Sequence, residues 1–299
     1  MIRANYSTAG EHERAIADFT KVVGLKATNP ADKQRQDAAR ERLARLQKDL
    51  AGKPTAPIAP EKHKRVALVI GNSKYTHVSE LDNPVNDAKG MAAALRRLGF
   101  TMVVELENAT RDQMGRALKD LGDLTEGAEW VIVFFAGHGI EFNGMSYLIP
   151  VDAALKRDTH VEDEAIALSR VMAKVDAASR IGLIILDSCR NNPFAARMVR
   201  SAGATRSLAS GLAPVEPDGN VLVAFSAKHG TTAEDGTGSK HSPFTEALLT
   251  HIEEPGLEIN FLFRRVRDEV RRKTDRRQDP FVYGSLGSDS MFLRTAVRR

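Results

Sequence analysis

Two reactive side chains come directly after apolar runs of the sequence. Cys189, the one cysteine among 299 residues, ends IGLIILDSC, and His138 ends EWVIVFFAGH. A histidine beside a thiol can remove its proton, and the thiolate is a nucleophile for acyl transfer. Gly137 and Gly139 leave room beside the imidazole for a substrate and for a backbone N–H that points to it. Each residue alone is more commonly an inert thiol or a loop histidine, but their shared position favours a His-Cys dyad.

The segments that carry these residues belong to an alternating pattern of strands and helices that starts at Lys64. Strands are predicted in RVALVIG, TMVVEL, EWVIVFFAG, IGLIILD and VLVAFSA. Several are apolar on successive residues, which indicates strands covered on both faces and therefore a mostly parallel sheet flanked by helices. Ligands of such α/β sheets bind beyond the carboxyl ends of the strands, where both reactive residues are expected.

Helix signals fill the intervals between these strands. Helices are predicted at about residues 86–98, 111–121 and 169–178. The first is closed by Gly99, and the other two begin at the N-caps Thr110 and Ser169. A further helix begins at Ser242, which is followed by Pro243 at the first helical position. Asn143-Gly144 between apolar segments predicts a tight β-hairpin.

The first 52 residues have a different pattern. Residues 1–52 read as a helical hairpin, in which GEHERAIADFTKVV is similar to the second half of a tetratricopeptide repeat. Such repeats need about three neighbours to be stable, so one partial repeat indicates a remnant or capping hairpin, with a protein partner as its expected role. Residues 53–63 read as a linker, and residues 64–295 as the α/β domain.

The composition is that of an ordinary globular protein. Hydrophobic residues make up 42% and charged residues 27% of the chain, enough apolar material for a full core. No apolar run approaches the roughly 20 residues of a bilayer span, and MIRANYSTAG lacks the apolar part of a signal peptide. A single cysteine permits no internal disulfide, which fits a reducing compartment. We therefore expect a cytoplasmic protein without membrane contact, unless a leader is missing from the sequence.

The net charge of +4 comes largely from FRRVRDEVRRKTDRRQD. Acidic residues are interleaved with the basic ones there, namely Asp268, Glu269, Asp275 and Asp279. This mixture favours a solvated helix face over a nucleic-acid surface, because no aromatic interleaving or recognition motif accompanies it. No nucleic-acid partner is expected.

A family resemblance rests on motifs in a fixed order. From Lys64 to Leu293 the chain resembles the caspase-like cysteine peptidases, and most of all their bacterial metacaspase-like branch, the orthocaspases. The matching segments are VALVIGNSKY, LDNPVNDAKGMAAAL, VIVFFAGHG, SYLIPVD, LIILDSCRNNPF and SPFTEALL. The interval from His138 to Cys189 agrees with the roughly 50 residues between the two catalytic residues of caspases. The segment DSCRN around the cysteine differs from the caspase signature Q-A-C-[RQG]-G.

The resemblance implies a cysteine endopeptidase that cleaves polypeptides after arginine or lysine, since metacaspases have an acidic primary pocket. Asp87 and Asp187 would line it. Residues two apart on a strand share a face, so Asp187 should project with Cys189. The alternatives are a helix-start carboxylate for Asp87 and a loop-capping acceptor for Asp187. Ser226 would meet the substrate backbone, or is a plain strand-end serine.

The expected reaction follows from these roles. His138 takes the thiol proton, Cys189 attacks the carbonyl, and the backbone N–H groups of Gly139 and Cys189 hold the oxyanion. No metal is required. One alternative is a non-catalytic caspase-like interaction module. Another, a nucleotide-binding domain, is opposed by GNSKY, which is neither G-x-G-x-x-G nor a Walker loop.

Two further features point to regulation. Some metacaspases need calcium as an activator, and Asp152, Glu162, Asp163 and Glu164 offer oxygen ligands for it, although solvated acids are the alternative.

The second feature is the long segment after Cys189, which presents Arg197, Arg200 and Arg206 among small residues, Pro and Gly. These arginines are candidates for self-cleavage, with an ordered loop that is never cut as the alternative.

Overall fold

The computed structural model describes residues 23, 30–51, 64–189, 193–194, 197–199, 212–217, 219–228, 233–236, 238–284 and 286–296. The chain divides into two compact units, Met1–Glu61 and Lys62–Arg299. Helix α1, Pro30–Ala51, belongs to the first unit and confirms the predicted helix that ends before Gly52. Its predicted partner helix lies almost wholly outside the described residues. None of the described helices combines the length and apolar character needed to cross a membrane.

The second unit is an α/β structure. Its described strands are β1 Arg65–Gly71, β2 Met102–Glu107, β3 Trp130–Phe142, β4 Met145–Leu148, β5 Ile166–Ala167, β6 Ile181–Cys189, β7 Val221–Phe225 and β8 Phe281–Tyr283. Its described helices are α2 Pro84–Arg97, α3 Arg111–Leu124, α4 Val161–Glu164, α5 Leu168–Val175, α6 Pro243–His251 and α7 Ile259–Lys273, with a 3₁₀ turn at Asp158–His160.

The main sheet has the order β2-β1-β3-β6-β7-β8. Its first five strands are parallel, and β8 pairs antiparallel with β7. The sheet is thus mostly parallel and flanked by helices, as predicted. Strand β3 continues beyond the sheet and pairs antiparallel with β4, which pairs with β5. Strand β8 was not predicted, because three residues give no periodic signal.

Two apolar layers cover the sheet. Alternate residues of the strands pack with α2, α6 and α7 on one face, and with α3 and α5 on the other. This two-sided burial is the reason that β1, β3 and β7 are apolar on successive residues. A smaller cluster that includes Tyr75, Ile140 and Ile149 lies under the loops at the carboxyl edge of the sheet.

Most predicted caps are confirmed. Thr110 forms a capping box with Gln113, and the Ser242 hydroxyl accepts the N–H of Thr245 at 2.9 Å. Asn143 has a φ of 54° in the hairpin turn, as its sequence predicts. The prediction for Ser169 is wrong: α5 begins at Leu168, and the N-cap is Ala167, whose side chain forms no cap hydrogen bond. The apolar requirement at Leu168, which is buried, sets the start of that helix instead.

The basic segment near the end of the chain forms α7 and the turn after it. Its cations pair with nearby acids: Arg265 with Glu254, Arg267 and Arg271 with Asp279, Lys273 with Glu246 and Glu269, and Arg277 with Glu234. Only part of its positive charge therefore remains available to a partner.

Candidate active site

His138 and Cys189 are brought together by the register of two neighbouring strands. In the parallel pair β3–β6 the last register position joins His138 to Cys189. Adjacent strands lie about 4.8 Å apart, so the two backbones are lateral neighbours at the carboxyl edge of the sheet. The described part of Cys189 is its backbone. Both strands are predicted from the sequence, but their pairing is seen only in the strand order of the sheet.

The backbone of His138 is held by Tyr75. The His138 N–H donates to the Tyr75 hydroxyl oxygen at 2.7 Å, and this hydroxyl donates to the carbonyl of Ile149 at 3.3 Å. The tyrosine and imidazole rings also pack together, with centroids 4.5 Å apart. Tyr75 lies in the GNSKY segment, and no spacing in the sequence marks it as a partner of His138. It is a positioning residue that sequence analysis missed.

The imidazole of His138 has one nitrogen engaged and one free. Nε2 lies 3.3 Å from the carbonyl oxygen of Ser79. A carbonyl only accepts, so we assign the proton of the neutral ring to Nε2. Nδ1 is buried and has no hydrogen-bond partner among the described residues. Burial lowers the pKa of His138, against a smaller rise from the Ser79 contact. The ring is therefore neutral at pH 7, and its Nδ1 can accept a proton.

The glycines beside His138 are required by close contacts. Gly137 has a φ of 152°, and a Cβ atom there would lie 2.5 Å from the Tyr75 hydroxyl oxygen. A side chain at this position would displace the tyrosine that holds the histidine. A Cβ atom on Gly139 would lie 2.9 Å from Leu212 Cδ2. Both glycines therefore permit the packing around the imidazole.

The N–H of Gly139 points away from β4. Ile149 N donates to His138 O at 3.0 Å, and Gly139 pairs with Leu148 in the antiparallel ladder. This pattern makes Gly139–Leu148 a non-hydrogen-bonded pair, whose N–H groups point outward from the hairpin. The outward side of β3 is the side of β6 and Cys189. The geometry suits the oxyanion role expected for Gly139.

Asp87 and Asp187 meet at the start of α6. Both are buried, with relative exposures of 1% and 7%. Ser242 bridges them, since its N–H donates to Asp87 Oδ1 at 3.3 Å and its hydroxyl donates to Asp187 Oδ2. Thr245 donates to the same Asp187 oxygen at 2.6 Å. The alternatives considered above also hold in part: Asp87 lies in the first turn of α2, and Asp187 accepts hydrogen bonds from α6.

A third carboxylate, Asp235, joins these two and was missed by sequence analysis. Its Oδ2 accepts the N–H of Asp82 at 2.7 Å, and its charge acts on Asp87. Asn83 holds the same loop by donating to the carbonyl of Gly236 at 3.0 Å. These contacts join segments more than 150 residues apart, so no local motif reveals them. We call Asp87, Asp187 and Asp235 the acidic cluster.

Burial and mutual repulsion raise the pKa values of the acidic cluster. The pKa of Asp87 rises to about 9, first through burial and then through the charge of Asp187. The pKa of Asp235 rises to about 6, again mainly through burial, and that of Asp187 is raised for the same reason. Asp87 Oδ1 lies 2.9 Å from His241 Nδ1, but burial lowers the pKa of this histidine. A cation beside these carboxyls would therefore be stabilised. His241 does not supply one, because its lowered pKa keeps the imidazole neutral at pH 7.

Open space adjoins the acidic cluster. A cavity of about 970 Å³ is lined by Asp235 and His241, and also by two further carboxylates and two cations, Glu234, Glu246, Lys273 and Arg277. Asp87 and Asp187 are not part of its lining. Ser226, expected to meet the substrate backbone, is only 1% exposed, and its side chain hydrogen-bonds to Asp187. Its backbone is also occupied, because Ser226 N donates to Leu186 O at 2.8 Å and Ser226 O accepts from Gln278. Both the side chain and the backbone of Ser226 are thus engaged within the protein, and the side chain helps to fix the Asp187 carboxyl.

The four acids expected to bind calcium do not converge. Asp152 Oδ1 accepts the N–H of Arg111 at 2.8 Å, and Glu164 Oε2 accepts the N–H groups of Ala154 and Leu155. Among the described residues no group of three His, Cys, Asp or Glu side chains could hold a metal ion. Asp152, Glu162, Asp163 and Glu164 therefore form no such group in the described structure, and calcium activation stays a prediction.

Of the three arginines expected in self-cleavage, Arg197 is described. It is exposed, and its Nη1 donates to the carbonyl of His77. Arg200 and Arg206 lie outside the described residues.

Comparisons with solved structures agree with this architecture. The crystal structure of Caspase-1 from Spodoptera frugiperda superposes with a TM-score of 0.53 and 15% identity, over 79% of this chain and 91% of the other. At that identity the likeness shows the fold: a mostly parallel sheet between helices, as in a caspase.

The curated proteins with similar sequences include a paracaspase and a caspase. Human mucosa-associated lymphoid tissue lymphoma translocation protein 1 is 29% identical over 135 residues, 45% of this chain and 16% of that protein. The Paracaspase of Dictyostelium discoideum is 25% identical over 142 residues, 46% of this chain and 34% of its own length. Rat Caspase-1 is 26% identical over 234 residues, 72% and 56% of the two chains. The chain thus spans less than two thirds of each of these relatives.

The family is settled by a match that covers most of the chain. Residues 64–290 match the model of the Caspase domain, Peptidase_C14. This range contains the whole main sheet, His138, Cys189 and the acidic cluster. The chain therefore belongs to the Caspase domain family, Peptidase_C14, a family of caspase-like cysteine peptidases.

Proposed function

We propose that this protein is a cysteine endopeptidase that cleaves polypeptides after arginine, and less efficiently after lysine. The observation that carries the proposal is the register of β3 and β6, which joins His138 to Cys189 at one edge of the sheet. Asp187 lies two residues before Cys189 on the same strand, so the acidic cluster and the nucleophile share that edge. Family membership supports the reaction class, and the acidic cluster supports the choice of substrate.

His138 is the proposed general base. Its Nε2 proton faces the Ser79 carbonyl, so the unpartnered Nδ1 is the atom that would take the thiol proton. The resulting thiolate would attack the carbonyl carbon of the scissile bond. Burial favours the neutral imidazole before this step, and the Ser79 contact stabilises the imidazolium after it. His138 would then protonate the leaving amine, and water would release the acyl-enzyme.

The oxyanion of the tetrahedral intermediate would be held by backbone N–H groups. Gly139 N–H points outward from the β3–β4 hairpin toward the side of β6, which supports its role as one donor. The N–H of Cys189 is the second proposed donor. Tyr75 keeps the backbone around His138 in place while these groups act.

The acidic cluster would select the residue before the scissile bond. A guanidinium can form paired, charge-assisted hydrogen bonds with carboxylates, whereas an aspartate side chain would add another like charge to a buried site. Lysine lacks the planar fork of arginine, so weaker cleavage after lysine is expected. This selectivity is the one expected for the metacaspase-like branch, in contrast to the aspartate preference of caspases.

Matched peptide substrates test this proposal. We expect fluorogenic peptides ending in arginine to be cleaved, with iodoacetamide abolishing the activity. Cys189→Ala and His138→Ala should each lower kcat by about 10⁴-fold or more, and the double variant should be no worse than the single ones. His160→Ala, at a half-exposed histidine on the 3₁₀ turn, is the matched control and should stay active.

The outcomes separate the two candidate roles. Substantial turnover in Cys189→Ala or His138→Ala would contradict the dyad. An inactive but folded protein that no peptide engages would instead support the non-catalytic interaction module. Preferential cleavage after aspartate would leave the peptidase but remove the proposed specificity.

A further inference from the structure

A second charged region lies on the other face of the sheet, between α3 and α5. A cavity of about 570 Å³ there is lined by Arg111, Arg116, Lys119, Arg170 and Lys174, with Asp112 as the one carboxylate. We call these five cations and their cavity the basic cleft. Five positive groups against one negative group give it a strongly positive field.

The cations of the basic cleft form no ion pairs within the part of the chain that the structure describes. Among the described residues none of the five forms an ion pair with a carboxylate, in contrast to four cations of α7, Arg265, Arg267, Arg271 and Lys273. Arg111 Nε is moreover buried, with no hydrogen-bond partner in the described ranges of the chain. Asp152 lies close but accepts the backbone N–H of Arg111. A buried guanidinium N–H without an acceptor is costly, and an anion in the cleft would supply that acceptor.

Two glycines of α3 lie beside cations of the basic cleft. A Cβ atom on Gly122 would lie 3.0 Å from Lys174 Nζ, and one on Gly115 would lie 3.8 Å from Arg111 Nη1. An added Cβ at Gly122 would therefore require the flexible end of Lys174 to shift, whereas one at Gly115 would stand at an ordinary van der Waals distance from Arg111. The two helices thus present their cations to one shared space.

We propose that the basic cleft binds a compact oligophosphate anion. Three of its cations are arginines, whose planar forks match phosphate oxygens. From Arg111 to Lys119 the cations extend over about 12 Å of α3, and from Arg170 to Lys174 over about 6 Å of α5. This extent suits linked phosphates better than a single anion. The described lining of the cavity contains no aromatic side chain, so the phosphates and not a stacked base provide the recognition.

Calorimetric titration of the full chain at low ionic strength tests this proposal. Tripolyphosphate should bind with a stoichiometry of one, and ATP should bind within about threefold of it, because the base adds no stacking contact. Arg116→Gln/Arg170→Gln should weaken tripolyphosphate binding about a hundredfold, at about tenfold for each lost charged contact. The matched control is Arg264→Gln/Arg272→Gln on α7, which removes the same charge and should change affinity less than about threefold.

Each other result overturns the proposal. Absence of binding at low ionic strength would show that the cleft is merely a solvated basic surface. Equal loss in the cleft and control variants would show that net charge alone attracts the anion. ATP binding more than about tenfold tighter than tripolyphosphate would show recognition of the nucleoside. Tighter binding of a hexaglutamate peptide would assign the cleft to acidic polypeptides instead.

Discussion

The acidic cluster and the basic cleft concentrate charge in different physical environments. Asp87 and Asp187 are buried, and their carboxyls are fixed by hydrogen bonds from the start of α6. Arg116, Lys119 and Arg170 are exposed to water on two helices. Like charges in water repel only weakly, but like charges in a protein interior raise the free energy of the fold. The acidic cluster therefore carries a cost in stability, which a functional requirement for a cationic substrate would explain. The exposed cations of the basic cleft carry little cost.

The largest expected difference concerns substrate choice. Asp87→Asn keeps the shape of the side chain and should lower kcat/KM for arginyl peptides about 30- to 3,000-fold, since losing one partner of a buried charged contact costs about 2 to 5 kcal/mol. Leucyl peptides should lose much less. Asp123→Asn, at an exposed carboxylate of α3, is the control. An arginine preference that survives Asp87→Asn would place the specificity site elsewhere.

Ionic strength should separate the two regions further. Raising the salt to about 0.5 M should weaken tripolyphosphate binding to the basic cleft about tenfold or more, because exposed charges are screened. The KM for arginyl peptides should change only about twofold to threefold, since the acidic cluster is buried. Steady-state kinetics and calorimetry at matched salt concentrations give both values. If salt changed the KM for arginyl peptides as much as the affinity for tripolyphosphate, an exposed site and not the buried acidic cluster would bind the positive charge of the substrate.

Substitutions in the two regions should differ in their effect on stability and in its dependence on pH. The folded pKa of Asp87, about 9, lies above its unfolded value of 3.8, so the folded protein holds more protons between these limits. The free energy of unfolding therefore falls as pH rises through this window. Asp87→Asn should relieve this loss. The gain in the free energy of unfolding should grow by up to about 1.4 kcal/mol for each pH unit between these limits, so it is larger at pH 8 than near pH 5.

Thermal unfolding across pH measures this effect. Arg116→Gln in the basic cleft should shift the free energy of unfolding by less than about 0.5 kcal/mol at every pH, as expected for an exposed side chain. A pH-independent effect of Asp87→Asn would show that Asp87 is already ionised in the folded protein.

The smallest expected signal is the release of at most one proton when a cationic inhibitor binds. A cationic arginyl inhibitor in the acidic cluster should lower the pKa of Asp87 and release up to one proton near pH 7 to 8, because its pKa starts at about 9. Calorimetry in buffers of different ionisation enthalpy gives the number released, and Asp87→Asn should abolish it. Proton uptake in the unmutated protein would contradict the assigned direction.

The sequence predicted the elements more completely than the site. The five main strands, the caps Thr110 and Ser242 and the hairpin at Asn143 follow from local patterns, because burial on two faces and capping act within a few residues. The pairing of β3 with β6 does not follow from either strand alone. The error at Ser169 arose because a buried leucine overrode the capping preference of a neighbouring serine.

Tertiary structure also reversed the apparent distribution of charge. The most basic stretch of the sequence pairs its cations with acids on α6, α7 and nearby loops, whereas the basic cleft draws its cations from two separate helices. Ion pairing depends on distance in space, so counting charges along the chain does not show which cations stay unpaired.

The sequence by itself determined the chemical groups and the elements that carry them. The thiol, the glycine-flanked histidine and one aspartate follow apolar strands, and the second aspartate lies at the start of a helix. These depend on residue type and short-range periodicity. Tertiary structure decided which groups meet. It set Tyr75 and the Ser79 carbonyl against His138, and it brought Asp235 to Asp87. Such contacts depend on the packing of loops that are distant in the chain, and no local pattern of residues records that packing.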